Sequence, residues 1–262
     1  WTTSFDRYLE PYGDDCIKHG DYFRCWNIQI PSGGQAPSPL VIDLHGHSSS
    51  PEEQRRMSGF DKKASSQGFI AVWPFGLARS WNAGGECCGD ALEKNIDDTG
   101  FLRELILKVA SEQNVDLKRV YLTGLSNGCA MAQRFSVEAS DLVAATACMS
   151  LHLLTKPSED FLPTPVMMFY GTEDRDIYEP TGDDIPSAKE NFMNWAIING
   201  CLDPAVDEAL EGITVKAYKN CDVGSEVVMV TIKNGGHELY EGVHTDINTT
   251  ELAWNFLRKF SR

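Results

Sequence analysis

Short apolar runs alternate along this chain with longer stretches in which apolar positions recur every three or four residues. Residues 40–44 are followed by a helical pattern over 59–66, residues 69–73 by one over 99–110, and residues 120–123 by one over 127–137. Strand followed by helix, repeated, predicts a parallel sheet, because each strand must return to the same edge through a crossover. The series continues with strand-like runs at 142–149, 166–170 and 226–232 and helical patterns over 188–198 and 250–260. These strands are apolar at nearly every position, which fits a sheet covered on both faces; a half-exposed strand would alternate. Residues 22–30 read as an antiparallel ribbon at the N-terminal edge, and the Pro-, Gly- and Ser-rich stretch 31–39 as a loop. The expected architecture is α/β, a mostly parallel doubly wound sheet in one domain spanning 1–262.

Composition narrows the function classes. With 42% hydrophobic and 10% aromatic residues among 262, the chain is neither disordered nor collagenous. At this length folding buries roughly 70–75% of the unfolded surface, so a core forms without metal or partner subunits and a monomer is expected. The formal charge of −15 repels phosphate backbones and anionic headgroups, which argues against nucleic acid or a membrane as partner. No apolar run approaches the ~18 residues of a membrane span.

Eight cysteines, an even number, favour an oxidising compartment. Cys16 and Cys25 flank a turn at 18–21 that would set them across a hairpin. Cys201 and Cys221 would close a loop, a constraint of about 3 kcal/mol in the chain-entropy model. Cys87, Cys88, Cys129 and Cys148 allow three pairings, of which the vicinal pair with Cys129–Cys148 is the expected one; buried free thiols are the alternative. No C-x2-C or H-E-x-x-H spacing points to a metal site.

The chemistry gathers at predicted strand ends. Gly124-Leu125-Ser126-Asn127-Gly128 places a serine between a strand and a helix with glycines two positions to either side, the pattern that lifts a hydroxyl on a tight turn. Such a hydroxyl needs a base oriented by a carboxylate. Asp174, after the 166–170 strand, is the expected acid, with Asp176 as runner-up. His237, after Gly235-Gly236, is the expected base, and His244 is its rival. The backbone amides of His47 and Asn127 are candidate oxyanion donors, and His45 is expected to brace the loop that carries His47. Trp81, in the loop 80–89, would wall an acyl group or pack as a lid over the core. Asp97 or Asp98 is expected to cap the helix after it, and Asn248 either caps the last helix or, in Asn248-Thr249-Thr250, accepts a glycan.

Taken together, residues 39–46, 80–89, 97–101, 119–128, Gly171-Thr172-Glu173-Asp174 and Gly235-Gly236-His237 resemble the secreted α/β-hydrolase esterases that group feruloyl (cinnamoyl) esterases with polyhydroxybutyrate depolymerases. The segments run in family order over most of the chain. The resemblance implies carboxylic ester hydrolysis through an acyl-enzyme, with Ser126 as nucleophile, His237 as base and Asp174 as orienting acid. It also implies secretion and no cofactor. Where family members often carry Trp-Pro soon after the histidine, this chain has Glu238-Leu239-Tyr240, so the pocket beside His237 is expected to differ.

Overall fold

The computed structural model describes residues 6–32, 36–85, 87–181, 186–203, 205–240 and 246–262. Among these, the strands are β1 (Asp15–His19), β2 (Tyr22–Gln29), β3 (Ser38–Leu44), β4 (Ile70–Pro74), β5 (Val115–Gly124), β6 (Ala145–Met149), β7 (Val166–Gly171), β8 (Val206–Leu210), β9 (Ile213–Tyr218) and β10 (Val227–Ile232). The α-helices are α1 (Pro51–Ser58), α2 (Phe60–Gln67), α3 (Asp90–Glu93), α4 (Asp98–Glu112), α5 (Asn127–Glu138), α6 (Arg175–Tyr178), α7 (Ala188–Ile198) and α8 (Thr249–Leu257).

All ten strands form one sheet in the order β1-β2-β4-β3-β5-β6-β7-β10-β9-β8. From β4 to β10 the neighbours are parallel. β3, β4, β6 and β7 are buried at every residue, the consequence of helices on both faces. Within β3, Leu40, Ile42 and Leu44 pack with α4 and α5, whereas Val41 turns to the face covered by α2 and α8. On the first face α7 lays Phe192 and Trp195 against Val166, Met168, Val227 and Met229.

Two features correct the sequence reading. Antiparallel strands close both edges, not the N-terminal one alone: β1 and β2 extend β4, and β9 and β8 extend β10. β8 is exposed along its whole length, so it carries no apolar run that would mark it as a strand. Helix α1 also lies outside the expected pattern. Its start is nonetheless written in Ser50-Pro51-Glu52-Glu53, where Ser50 accepts the Glu53 N–H and Pro51 opens the first turn.

Four disulfides link Cys16 to Cys25, Cys87 to Cys88, Cys129 to Cys148 and Cys201 to Cys221. Cys16 and Cys25 are direct partners across β1 and β2, and Cys129–Cys148 ties the first turn of α5 to β6. No helix among the described residues is long and apolar enough to cross a membrane.

Candidate functional site

The C-terminal ends of β3, β5, β6, β7 and β10 lie side by side, so residues that follow them in sequence converge on one edge of the sheet. After β5 the chain turns through Ser126 at φ 56° and ψ −125°, a conformation that non-glycine residues rarely adopt. The turn is held by Leu125 N–H to Leu44 O at 3.2 Å and Ser126 N–H to Met149 O at 2.8 Å. Its flanking glycines are steric necessities. A Cβ on Gly124 would sit 2.7 Å from Leu44 O, and one on Gly128 would sit 2.2 Å from Leu44 O and 2.6 Å from His45 O.

The loop after β3 leans on this turn. A Cβ on Gly46 would meet Ser126 Cβ at 3.5 Å. His45 is buried and bridges two backbone groups, with Nδ1 against Gly46 O at 2.8 Å and Nε2 accepting the Gly76 N–H at 2.9 Å. That pairing fixes the neutral tautomer with the proton on Nδ1, and burial pulls the imidazole down to about 4. His45 is thus a brace. The peptide N–H groups of His47 and Asn127 have no acceptor among the described residues. The His47 side chain is exposed and lies over Gly89.

After β7, Asp174 opens α6, and its carboxylate Oδ2 is 2.7 Å from Nδ1 of His237 in the turn after β10. The Asp174 side chain is 10% exposed and that of His237 40%. Asp176 is exposed and Glu173 pairs with Arg175; His244 lies outside the described residues. The Ser126 hydroxyl makes no hydrogen bond among the described residues, so the Asp174–His237 pair is formed whereas the serine–histidine bond is open. In enzymes without substrate that bond is often long and tightens as substrate binds. A hydroxyl on a strained turn, an imidazole held by a buried carboxylate and two unsatisfied amides can together support acyl transfer.

No protein-family model matches the chain. It is 30% identical over 257 residues to feruloyl esterase B of Piromyces equi, covering 89% of this chain and 45% of that protein. It is 23% identical over 243 residues to poly(3-hydroxyalkanoate) depolymerase C of Paucimonas lemoignei, covering 79% of this chain and 56% of that protein. The chain therefore spans about half the length of these relatives. Among solved structures it superposes on an acetyl xylan esterase from Aspergillus awamori with a TM-score of 0.64 at 13% identity, covering 80% of this chain and 88% of that one. The chain has the α/β-hydrolase fold. Its sequence is similar to those of esterases.

Within this fold the structure corrects one expected site residue. Trp81 is fully buried and its indole N–H donates to His45 O at 2.9 Å. Its ring lies 5.1 Å from that of His45, beneath the loop after β3, and presents no face to a substrate. Asp97 caps α4 by accepting the Gly100 N–H, whereas Asp98 is buried against Arg24. Asn248 caps α8 by accepting the Glu251 N–H. His152 is buried and stacks on Tyr170. Sequence reasoning passed over three residues around the candidate site. Arg24 pairs with Asp98, Gln133 donates to Leu151 O at 2.9 Å beside the Cys129–Cys148 bridge, and Tyr240 bonds the turn before His237. Arg24 and Gln133 act on partners distant in sequence, and Tyr240 reaches back four residues only because Thr249 anchors its backbone.

Proposed function

We propose that the chain is a serine carboxylic-ester hydrolase acting through an acyl-enzyme, and that it removes hydroxycinnamoyl or acetyl groups from polysaccharide in an extracellular setting. The observation that carries this reading is the 2.7 Å contact between Asp174 and His237 at the sheet edge that also presents Ser126 on its strained turn. In the reaction, His237 takes the Ser126 proton as Oγ attacks the ester carbonyl. The oxyanion is received by the N–H groups of His47 and Asn127. His237 then passes its proton to the departing alcohol and draws one from the water that hydrolyses the acyl-enzyme. Asp174 holds the imidazole in the required tautomer and supports its charge. The similarity to a feruloyl esterase and the four disulfides support the substrate class and the compartment.

A polyester depolymerase is the second reading, supported by the similarity to the Paucimonas lemoignei enzyme. Initial rates on methyl ferulate, acetylated xylan and a hydroxybutyrate trimer separate the two. Turnover of p-nitrophenyl acetate by wild type and by Ser126→Ala tests the chemistry itself. Equal rates for the two proteins would leave a catalytically silent carbohydrate-binding module on a hydrolase scaffold.

A further inference from the structure

His237 is the most exposed member of the proposed triad, so side-chain packing does little to fix its imidazole, and it follows two glycines, the residues with the greatest backbone freedom. Something else must hold it. The peptide group between Gly235 and Gly236 is gripped at both ends. Its carbonyl, Gly235 O, accepts the Glu173 N–H at 2.8 Å, and its N–H, on Gly236, donates to the phenol oxygen of Tyr240 at 2.6 Å. The Tyr240 hydroxyl sits 3.5 Å from Gly236 O as its own acceptor. Glycine is required on both sides of this grip. A Cβ on Gly235 would lie 2.6 Å from the Tyr240 oxygen, and one on Gly171 would lie 2.3 Å from Gly235 O.

Tyr240 is itself anchored. Its N–H donates to Thr249 Oγ1 at 3.1 Å, and its carbonyl accepts the Thr249 N–H at 2.9 Å; Thr249 is buried at the first turn of α8. A continuous path therefore runs from α8 through the phenol to the Gly235–Gly236 peptide, His237 and Asp174. The Glu173 end of the grip belongs to the same turn as Asp174, so the peptide is registered against the carboxylate that His237 must meet.

We propose that Tyr240 is a positioning residue for His237, its phenol oxygen fixing the peptide that sets the imidazole against Asp174. The inference rests on the esterase reading for its kinetic consequence and on geometry alone for its structural one.

Tyr240→Phe removes the acceptor and keeps the ring that packs against the adjoining core. The expected result is a fall in kcat on p-nitrophenyl acetate of about ten-fold or more, since small misplacements of a catalytic group cost heavily in rate. KM stays within about two-fold, and the thermal midpoint within about 2–4 °C. The far-downfield proton resonance of the His237 Nδ1–H against Asp174 should weaken or vanish in the variant. Wild-type kcat with that resonance intact would overturn the proposal, as would a loss of kcat matched by a large fall in thermal midpoint with the resonance unchanged. If the wild type turns over esters no faster than Ser126→Ala, the esterase reading fails. The resonance in wild type and Tyr240→Phe then still decides whether the phenol positions the ring.

Discussion

Asn127 and Trp81 grip each other across the base of the site. The Trp81 backbone N–H donates to Asn127 Oδ1 at 2.7 Å, and Asn127 Nδ2 donates back to the Trp81 carbonyl at 3.0 Å. Both residues are buried, so the first residue of α5 holds the 80–85 loop while its own N–H remains free beside Ser126. Asn127→Leu leaves the buried Trp81 N–H unpaired, at a cost of about 1–3 kcal/mol, whereas the Trp81 carbonyl keeps its bond from the Ala83 N–H at 3.0 Å. Urea unfolding should show a loss of about 1–3 kcal/mol, and ester turnover should fall with it. A variant as stable as wild type would show that the pairing bears no weight.

Gly128 has no room for a side chain. A methyl group there would overlap Leu44 O and His45 O, and relief requires the β3 loop to move away from Ser126. Gly128→Ala is expected to lower kcat/KM by about 100-fold, in line with a ~1 Å displacement of an oxyanion donor, with the protein still folded by circular dichroism. Retention of more than half the activity would mean that the loop is more compliant than its contacts imply.

Acid should destabilise this protein through two buried imidazoles. Burial lowers His45 and His152 from 6.5 to about 4. For each, the unfolded chain binds a proton below pH 6.5 that the folded chain refuses until about pH 4. The stability each contributes is complete above pH 6.5 and is lost as pH falls towards 4, about 3 kcal/mol per ring. Asp43 acts in the opposite sense: burial raises it to about 6 from 3.8, and the folded chain gains stability as pH falls across that window. The net acid loss is then roughly one imidazole's worth. His152 stacks on Tyr170, so His152→Phe keeps the stack and sheds the titration. Its unfolding free energy should be nearly flat between pH 7 and 4.5, where wild type declines. Parallel curves for the two proteins would refute the assignment.

Arg24 and Asp98 form a buried ion pair at 2.5 Å, with the guanidinium stacked 4.0 Å from the Phe101 ring centre. Asp98 also accepts the Asn82 N–H at 2.7 Å, so the pair joins β2 and α4 to the loop that holds Trp81. Arg24→Met strands a buried carboxylate and is expected to cost about 3–5 kcal/mol. The double variant Arg24→Met/Asp98→Asn should recover part of that loss, which a double-mutant cycle by chemical denaturation measures directly.

Much of this could be read along the chain. The run from residue 40 to residue 44 announces a strand because burial on both faces excludes polar side chains. Gly124, Ser126 and Gly128 announce a strained turn because backbone crowding there tolerates nothing larger. By contrast, β8 and β9 form a hairpin turned at Gly212, φ 76°, whose outer strand is exposed throughout. Its stability comes from pairing to an edge, and pairing leaves no hydrophobic period to find.

The amino-acid order by itself determined the alternation of strand and helix, and with it a doubly wound sheet whose strand ends carry the polar loops, since period and chain sterics are local properties. Only the tertiary structure decided that Asp174 and not Asp176 meets His237, that Trp81 lies beneath the site and not along it, and that Tyr240 grips the Gly235–Gly236 peptide. The first two outcomes depend on contacts tens of positions apart, β7 beside β10 and Trp81 on His45 and Asn127; the third depends on α8 returning to the same edge, where Thr249 anchors Tyr240.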